Sequence, residues 1–147
     1  MKLVDLNILI YAIDESSPRH EAARNWLDET LSGSATVAFA WHVLIGFLRL
    51  STRAAIFERP LSVDESLDIV DGWLEQPCVT VVHPTDHHSV VLRGLLTPLG
   101  TAGNLTSDAH LAALSIEHGA ELYSTDIDFS RFSGVRWIDP LPATPAG

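Results

Sequence analysis

Short apolar runs and stretches with apolar residues at helical spacing alternate from one end of this chain to the other. Leu3 and Val4 open a buried strand, and Leu6 to Ile13 continue as a short helix. Ser17-Pro18 reads as a helix N-cap and first helical position, with Ala22, Ala23, Trp26, Leu27 and Leu31 spaced behind it on one face and Gly33 stopping it. Thr36 to Phe39 predict a second strand. Trp41 to Leu50 predict a helix that turns Val43, Leu44, Phe47 and Leu48 inward. Ser62-Val-Asp-Glu65 is a capping box opening a helix to about Leu74, before a third strand at Val79 to Val82. Pro84 and Thr85 introduce a helix to about Leu96, and Gly100 to Asn104 form a loop. Asp108 to His118 is a helix ended by Gly119. Glu121 to Ser124 and Val135 to Ile138 complete the strands, the last at an edge. Such alternation implies an α/β fold, a parallel sheet covered by helices on both faces.

A length of 147 residues and a hydrophobic content of 46% fit one domain with its own core. We expect that domain over residues 1–140 and a flexible C-terminal tail over 141–147. Cys78 is the sole cysteine, which excludes an intramolecular disulfide and a cysteine metal knuckle and fits a reducing cytoplasm. The opening residues offer no apolar signal region and no run reaches the length of a membrane span, so a soluble, unprocessed cytoplasmic protein is expected. Nine basic against nineteen acidic side chains leave a net charge of −10, the wrong sign for holding nucleic acid by bulk electrostatics. That charge suits a basic partner, or a function in which the acids are gathered at a metal site.

Three aspartates suggest such a site. Asp5 ends the first strand, Asp126 closes the fourth, and Asp108 opens an apolar helix, so all three face one edge of the sheet, where an open parallel sheet builds its binding crevice. Taken singly, Asp108 is a helix N-terminal acid and Asp126 and Asp128 are turn residues. Asp5 is harder to dismiss, because a strand-end carboxylate without a partner is costly to bury. Together they form a hard oxygen donor set suited to Mg²⁺ or Mn²⁺, and such ions activate water and stabilise charge on a phosphoryl oxygen.

Asp5 in Val-Asp-Leu-Asn, Asp108 in Thr-Ser-Asp-Ala-His-Leu-Ala-Ala-Leu-Ser-Ile-Glu-His-Gly and Asp126 in Tyr-Ser-Thr-Asp-Ile-Asp-Phe resemble the motifs of PIN-domain ribonucleases, specifically the VapC-type toxins of bacterial toxin–antitoxin pairs. The resemblance runs over nearly the whole chain, in order and at the expected spacings. It implies a three-layer α/β/α fold around a parallel sheet of about five strands, Mg²⁺-dependent endonucleolytic cleavage of RNA, inhibition by a small VapB-like antitoxin, and a homodimer. It also implies Asp5, Asp108 and Asp126 as catalytic and metal-binding residues, with Asn7 and Asp128 in support. One position departs from the pattern: the glutamate that the family carries on the helix after the second strand falls at Gly46. That loss motivates an alternative, a catalytically weak PIN fold that grips RNA or antitoxin without turnover. A receiver-like phosphoacceptor, a third reading, lacks a suitably placed lysine, Lys2 being the only one.

Arg49 and Arg53, four residues apart after Gly46, are candidate contacts to RNA phosphates. His42, His87, His88 and His110 show no ligand spacing and read as scattered surface groups. The four tryptophans fit core or partner contacts better than a base-stacking platform. Ser107 and Ser124 lack an evident base as nucleophiles. Glu58 and Glu65 lie too far along the chain to replace the missing glutamate, and Glu117 is out of phase with Asp108 on its helix.

Overall fold

A computed structural model, which describes residues 1–143, contains one five-stranded sheet in the order β3-β2-β1-β4-β5 with every neighbouring pair parallel. The strands are β1 (Lys2–Val4), β2 (Val37–Phe39), β3 (Val79–Val81), β4 (Glu121–Tyr123) and β5 (Trp137–Ile138). Six helices connect them: α1 (Leu6–Ile13), α2 (His20–Leu31), α3 (Trp41–Ser51), α4 (Val63–Leu74), α5 (His88–Leu96) and α6 (Thr106–Glu117). The result is the three-layer α/β/α arrangement, with α1 packed on α2 and α3, α3 on α4, and α5 on α6.

The strands are short, but β2 is buried at every residue, as a central parallel strand covered on both faces must be. Leu3, Val4, Val37, Phe39, Phe47, Leu111, Leu114 and Leu122 form the centre of the core, each at most 2% exposed. Phe47 meets Trp73 edge to face at 4.8 Å, which ties α3 to α4. α6 is buried around most of its girth, through Ala109 and Leu111 to Ser115, which explains its weak amphipathic pattern. Gly119 follows α6 at φ 63°, the left-handed turn that lets the chain leave the helix and enter β4 within two residues.

The order of strands positions the site. The chain starts in the middle of the sheet, builds outward through β2 and β3, then returns to add β4 on the other side of β1. The carboxyl ends of β1 and β4 are therefore the switch point, where neighbouring connections leave in opposite directions and a crevice opens.

Several boundaries differ from expectation. The Ser17-Pro18 pair forms a turn and α2 starts only at His20; the Ser17 hydroxyl accepts from the Arg19 N–H and its carbonyl from the His20 N–H, so its capping capacity is used two residues early. α5 likewise starts at His88, because the N–H and hydroxyl of Thr85 are committed to Glu117. The capping box at Ser62 and Glu65 forms with both of its hydrogen bonds. Leu141, expected to begin a tail, is buried at 6% exposure because it packs on the core, so the folded body extends past residue 140; residues 144–147 of that tail lie outside the described residues.

Phe47→Ala should lower unfolding free energy by about 3–5 kcal/mol, measured by denaturant titration, because it empties a fully buried aromatic site that nothing nearby can fill.

Candidate active site

At the carboxyl ends of β1 and β4 the backbone and one hydroxyl group hold the acids in place. Asp5 is the N-cap of α1: its Oδ1 accepts from the Leu6 N–H at 2.7 Å, and its backbone N–H donates to the Tyr123 carbonyl at 3.0 Å. Its other oxygen, Oδ2, accepts from the Ser124 hydroxyl at 2.7 Å. Ser124 is fully buried, and its Oγ also accepts from the Asn7 side-chain amide at 3.1 Å and from the Asp126 N–H at 3.0 Å. The Asn7 carbonyl oxygen in turn accepts from the Thr125 N–H at 3.4 Å. Asp126 caps the following 3₁₀ turn (Ile127–Arg131) by accepting from the Asp128 N–H at 2.9 Å.

Asp108, in the first turn of α6, faces this assembly. Asp108, Asp126 and Asp128 each offer a carboxylate oxygen, and these oxygens all lie within 4.8 Å of one another. Asp5 stands beside them with both oxygens already engaged. Asp5, Asp108 and Asp126 thus converge as expected, and Asp128, expected only in support, is itself part of the tight group. Three half-buried hard oxygen donors this close fit a divalent cation such as Mg²⁺ or Mn²⁺. Their electrostatics fit as well. Burial pushes the Asp108 carboxyl up to about 6, and the charges of Asp126, Asp5 and Asp128 push the same way. Asp5 is also raised, by burial first; the Ser124 and Leu6 hydrogen bonds and the nearby His42 oppose this, and Asp126 adds to it. A bound cation would relieve the repulsion that these shifts record.

Asp5 and Asp108 open onto a crevice of about 370 Å³ that is also lined by Leu6, His42, Gly46, Arg49 and Ser107. Gly46 therefore does face the acids, on the wall where the family glutamate was expected. A Cβ there would meet the Leu6 Cδ2 at 2.7 Å, so Leu6 occupies the space that a side chain at 46 would need. Arg49 lines the crevice as expected. Arg53 does not: α3 ends at Ser51, so the four-residue spacing is not helical and Arg53 lies exposed in the following turn. None of the glutamates considered as replacements is here. Glu65 is spent in the capping box, Glu58 lines a separate groove near Asp14, and Glu117 is bound elsewhere.

The histidines correct the sequence reading most. His42, His110 and His88 are not scattered. His42 and His110 meet in a T-shaped contact with ring centres 5.4 Å apart, and the His88 Nε2 and His110 Nδ1 share a hydrogen bond of 2.9 Å. The Nδ1 of His88 is bonded to Glu117, whose side chain is only 2% exposed and also accepts from the N–H and the hydroxyl of Thr85. Burial alone would push Glu117 up, yet these hydrogen bonds and the His88 charge hold it below the usual carboxylate range. His110 is held low, by burial and then by the neighbouring histidines. His87 remains exposed and outside the row. Ser124, set aside as a nucleophile, works as a positioning hydroxyl; its place beside Asp126 in Ser-Thr-Asp was the only sign of it. Of the tryptophans, Trp73 is core, Trp26 packs on Tyr123, Trp137 donates to the Ser124 carbonyl at 2.9 Å, and Trp41 is exposed.

Residues 2–135 match the PIN domain family. The chain belongs to that family, and within it to the VapC group. It is 46% identical over 140 residues to Ribonuclease VapC37 of Mycobacterium tuberculosis, covering 95% of this chain and 97% of the relative. It is 39% identical over 141 residues to Ribonuclease VapC33 of the same species, covering 96% and 99%. Among solved structures, VapBC2 from Rickettsia felis bound to a promoter DNA fragment superposes with a TM-score of 0.69 at 19% identity, over 93% of this chain and 96% of that one. Mycobacterium tuberculosis VapC20, a toxin that cleaves the sarcin–ricin loop, superposes with a TM-score of 0.62 at 20% identity, over 92% and 99%.

Two outcomes follow from this geometry. The raised Asp108 contributes stability that is fully present below its unfolded value of 3.8 and is lost as pH rises through about 6, and Asp5 acts in the same direction. In EDTA the melting temperature of the wild type should therefore fall mainly between about pH 4 and pH 6, and Asp108→Asn should flatten that fall and melt higher at neutral pH. Equal slopes in the two proteins would mean that Asp108 is not raised in the folded state. Gly46→Glu combined with Leu6→Ala, which clears the obstructing methyl group, should tighten Mn²⁺ binding in calorimetry; unchanged affinity in the folded variant would mean that the new carboxylate turns away from the crevice.

Proposed function

We propose that this protein is a metal-dependent endoribonuclease, the toxin of a toxin–antitoxin pair, and that Asp5, Asp108, Asp126 and Asp128 form its metal-binding and catalytic centre. The observation that carries the reading is the convergence of three carboxylates within 4.8 Å of one another, with Asp5 beside them, at the switch point of the sheet. Relatives across nearly the full length of the chain are named ribonucleases, which favours turnover over a binding-only role.

Asp108, Asp126 and Asp128 would hold the ion, and Asp5, tethered by Ser124 and Leu6, would complete the set. When bound, the ion supplies the activation of water and the charge stabilisation that phosphodiester hydrolysis needs. The chain does the rest. Ser124 and Asn7 keep Asp5 and Asp126 at a fixed separation, so the acids need not reorganise when substrate arrives. Arg49, on the wall of the crevice, would take a phosphate oxygen by a charge-assisted hydrogen bond. Attraction of a polyanion to a chain of net charge −10 must be local, through such a contact and the cation itself, rather than spread over the surface.

The solved neighbours that pair a VapC with its VapB supply the second half of the reading, a cognate antitoxin. An acidic crevice is suited to receive a basic side chain from that antitoxin. We also expect a homodimer.

Asp108→Asn and Asp5→Asn, incubated with total bacterial RNA in Mg²⁺, should each lose cleavage by at least about a hundredfold while remaining folded by circular dichroism, because the amide keeps shape and removes the charge that binds the ion. Wild-type rates in either variant would overturn the assignment.

A further inference from the structure

The carboxylates account for one wall of the crevice and leave His42 without a role. This residue sits in the first turn of α3, is exposed to solvent, and lines the same crevice as Asp5 and Asp108. An exposed side chain at a helix start is ordinarily free to rotate. The His42 ring instead packs edge to face against His110, and His110 is the end of a hydrogen-bonded row that runs back through His88 to Glu117.

That row has a buried anchor. Glu117, buried and held low, is a carboxylate and can only accept. It takes the Thr85 N–H, the Thr85 hydroxyl and the His88 Nδ1–H. The His88 Nε2 and the His110 Nδ1 share the next hydrogen bond, at 2.9 Å. Both rings of the row are thereby held in plane. A buried glutamate, the two donors of Thr85 and two imidazoles joined across α5, α6 and the loop before α5 are more than a loose surface arrangement requires. At the end nearest the acids this row packs against the ring of His42.

We propose that His42 donates a hydrogen bond to a phosphate oxygen of RNA bound in the crevice, and that Glu117, His88 and His110 are positioning residues that hold its ring ready to do so. The inference rests on the nuclease reading above and deepens it, since it assigns a second substrate contact on the α3 wall, beside Arg49. An imidazole carries at least one N–H in either protonation state, so the contact does not require His42 to be charged. Holding the ring in advance removes the rotamer freedom that a free side chain would lose on binding.

Binding of labelled bulk tRNA in Ca²⁺, without the turnover that Mg²⁺ is expected to support, tests the contact directly. His42→Ala should weaken affinity about tenfold, the worth of one hydrogen bond to a charged group, with an unchanged melting temperature, and His42→Gln, which keeps an N–H donor, should recover most of it. His88→Ala, or the milder Glu117→Gln where that variant folds poorly, should weaken affinity in the wild-type background but add nothing to His42→Ala, because both act through one ring. Unchanged affinity in His42→Ala, or strictly additive losses in the double variant, would overturn the inference. Cleavage of the same RNA by the wild type in Mg²⁺ separates the two readings. A wild type that cuts while His42→Ala binds normally overturns this inference alone, and one that neither binds nor cuts overturns both.

Discussion

A single buried hydroxyl holds the acidic site together. Ser124 donates to Asp5 and accepts from Asn7 and Asp126, so one oxygen ties the end of β1, the first turn of α1 and the loop after β4. The residue's own backbone is fixed from the other side, its N–H by Ile138 and its carbonyl by the Trp137 indole, which extends the tie to β5. Carboxylates gathered at short range repel, and without a fixed neutral donor between them their side chains would turn outward to water. A hydroxyl suits this position better than an amide or a cation. It can donate to one acid while accepting from neighbouring N–H groups, and it adds no charge that would compete with a metal.

The arrangement sets stability against function. The burial, the crowding and the raised Asp108 make the protein less stable than it would be with neutral residues in the same places. The offset comes from the core beneath: the fully buried β2, the nearly encircled α6 and the aromatic contact between Phe47 and Trp73. The opposite end of the site uses electrostatics differently. Glu117 is buried too, but three donors surround it, so its charge is stabilising where that of Asp108 is not. Two acids of one helix, nine positions apart, thus stand as a destabilised carboxylate on the crevice and a stable anchor.

The fold, and the placing of three acids at one edge of its sheet, were legible in the sequence because both depend on local pattern. Alternating periods specify a parallel sheet, and a parallel sheet puts the carboxyl ends of its strands on one edge; that β1 and β4 lie side by side is set by strand order, which local pattern does not encode. Asp128 was underrated because a turn residue two places after another acid looks like turn chemistry until its backbone N–H is seen folding back onto Asp126. Arg53 was overrated because spacing was extended past a helix end that Ser51 marks only in three dimensions. The histidine row was invisible for a different reason. Its links join His88 to residues 22 and 29 positions away, and nothing in local spacing encodes which loop will lie beside which helix. Gly46 was placed on the correct wall, while the Leu6 methyl that fills its space belongs to another helix and could be found only by packing.

The position of β1 has a consequence for when the acidic site can form. This strand lies at the centre of the sheet and needs β4 as a neighbour, so Asp5 waits for Asp126, about 120 residues later, before the two can share Ser124. At a synthesis rate of roughly 5–20 residues per second that wait is about 6–24 s. Throughout it the nascent chain carries its acids apart, with the tying hydroxyl not yet made. The acids of the site thus stay apart until β4 has been made and has paired with β1, a delay built into strand order.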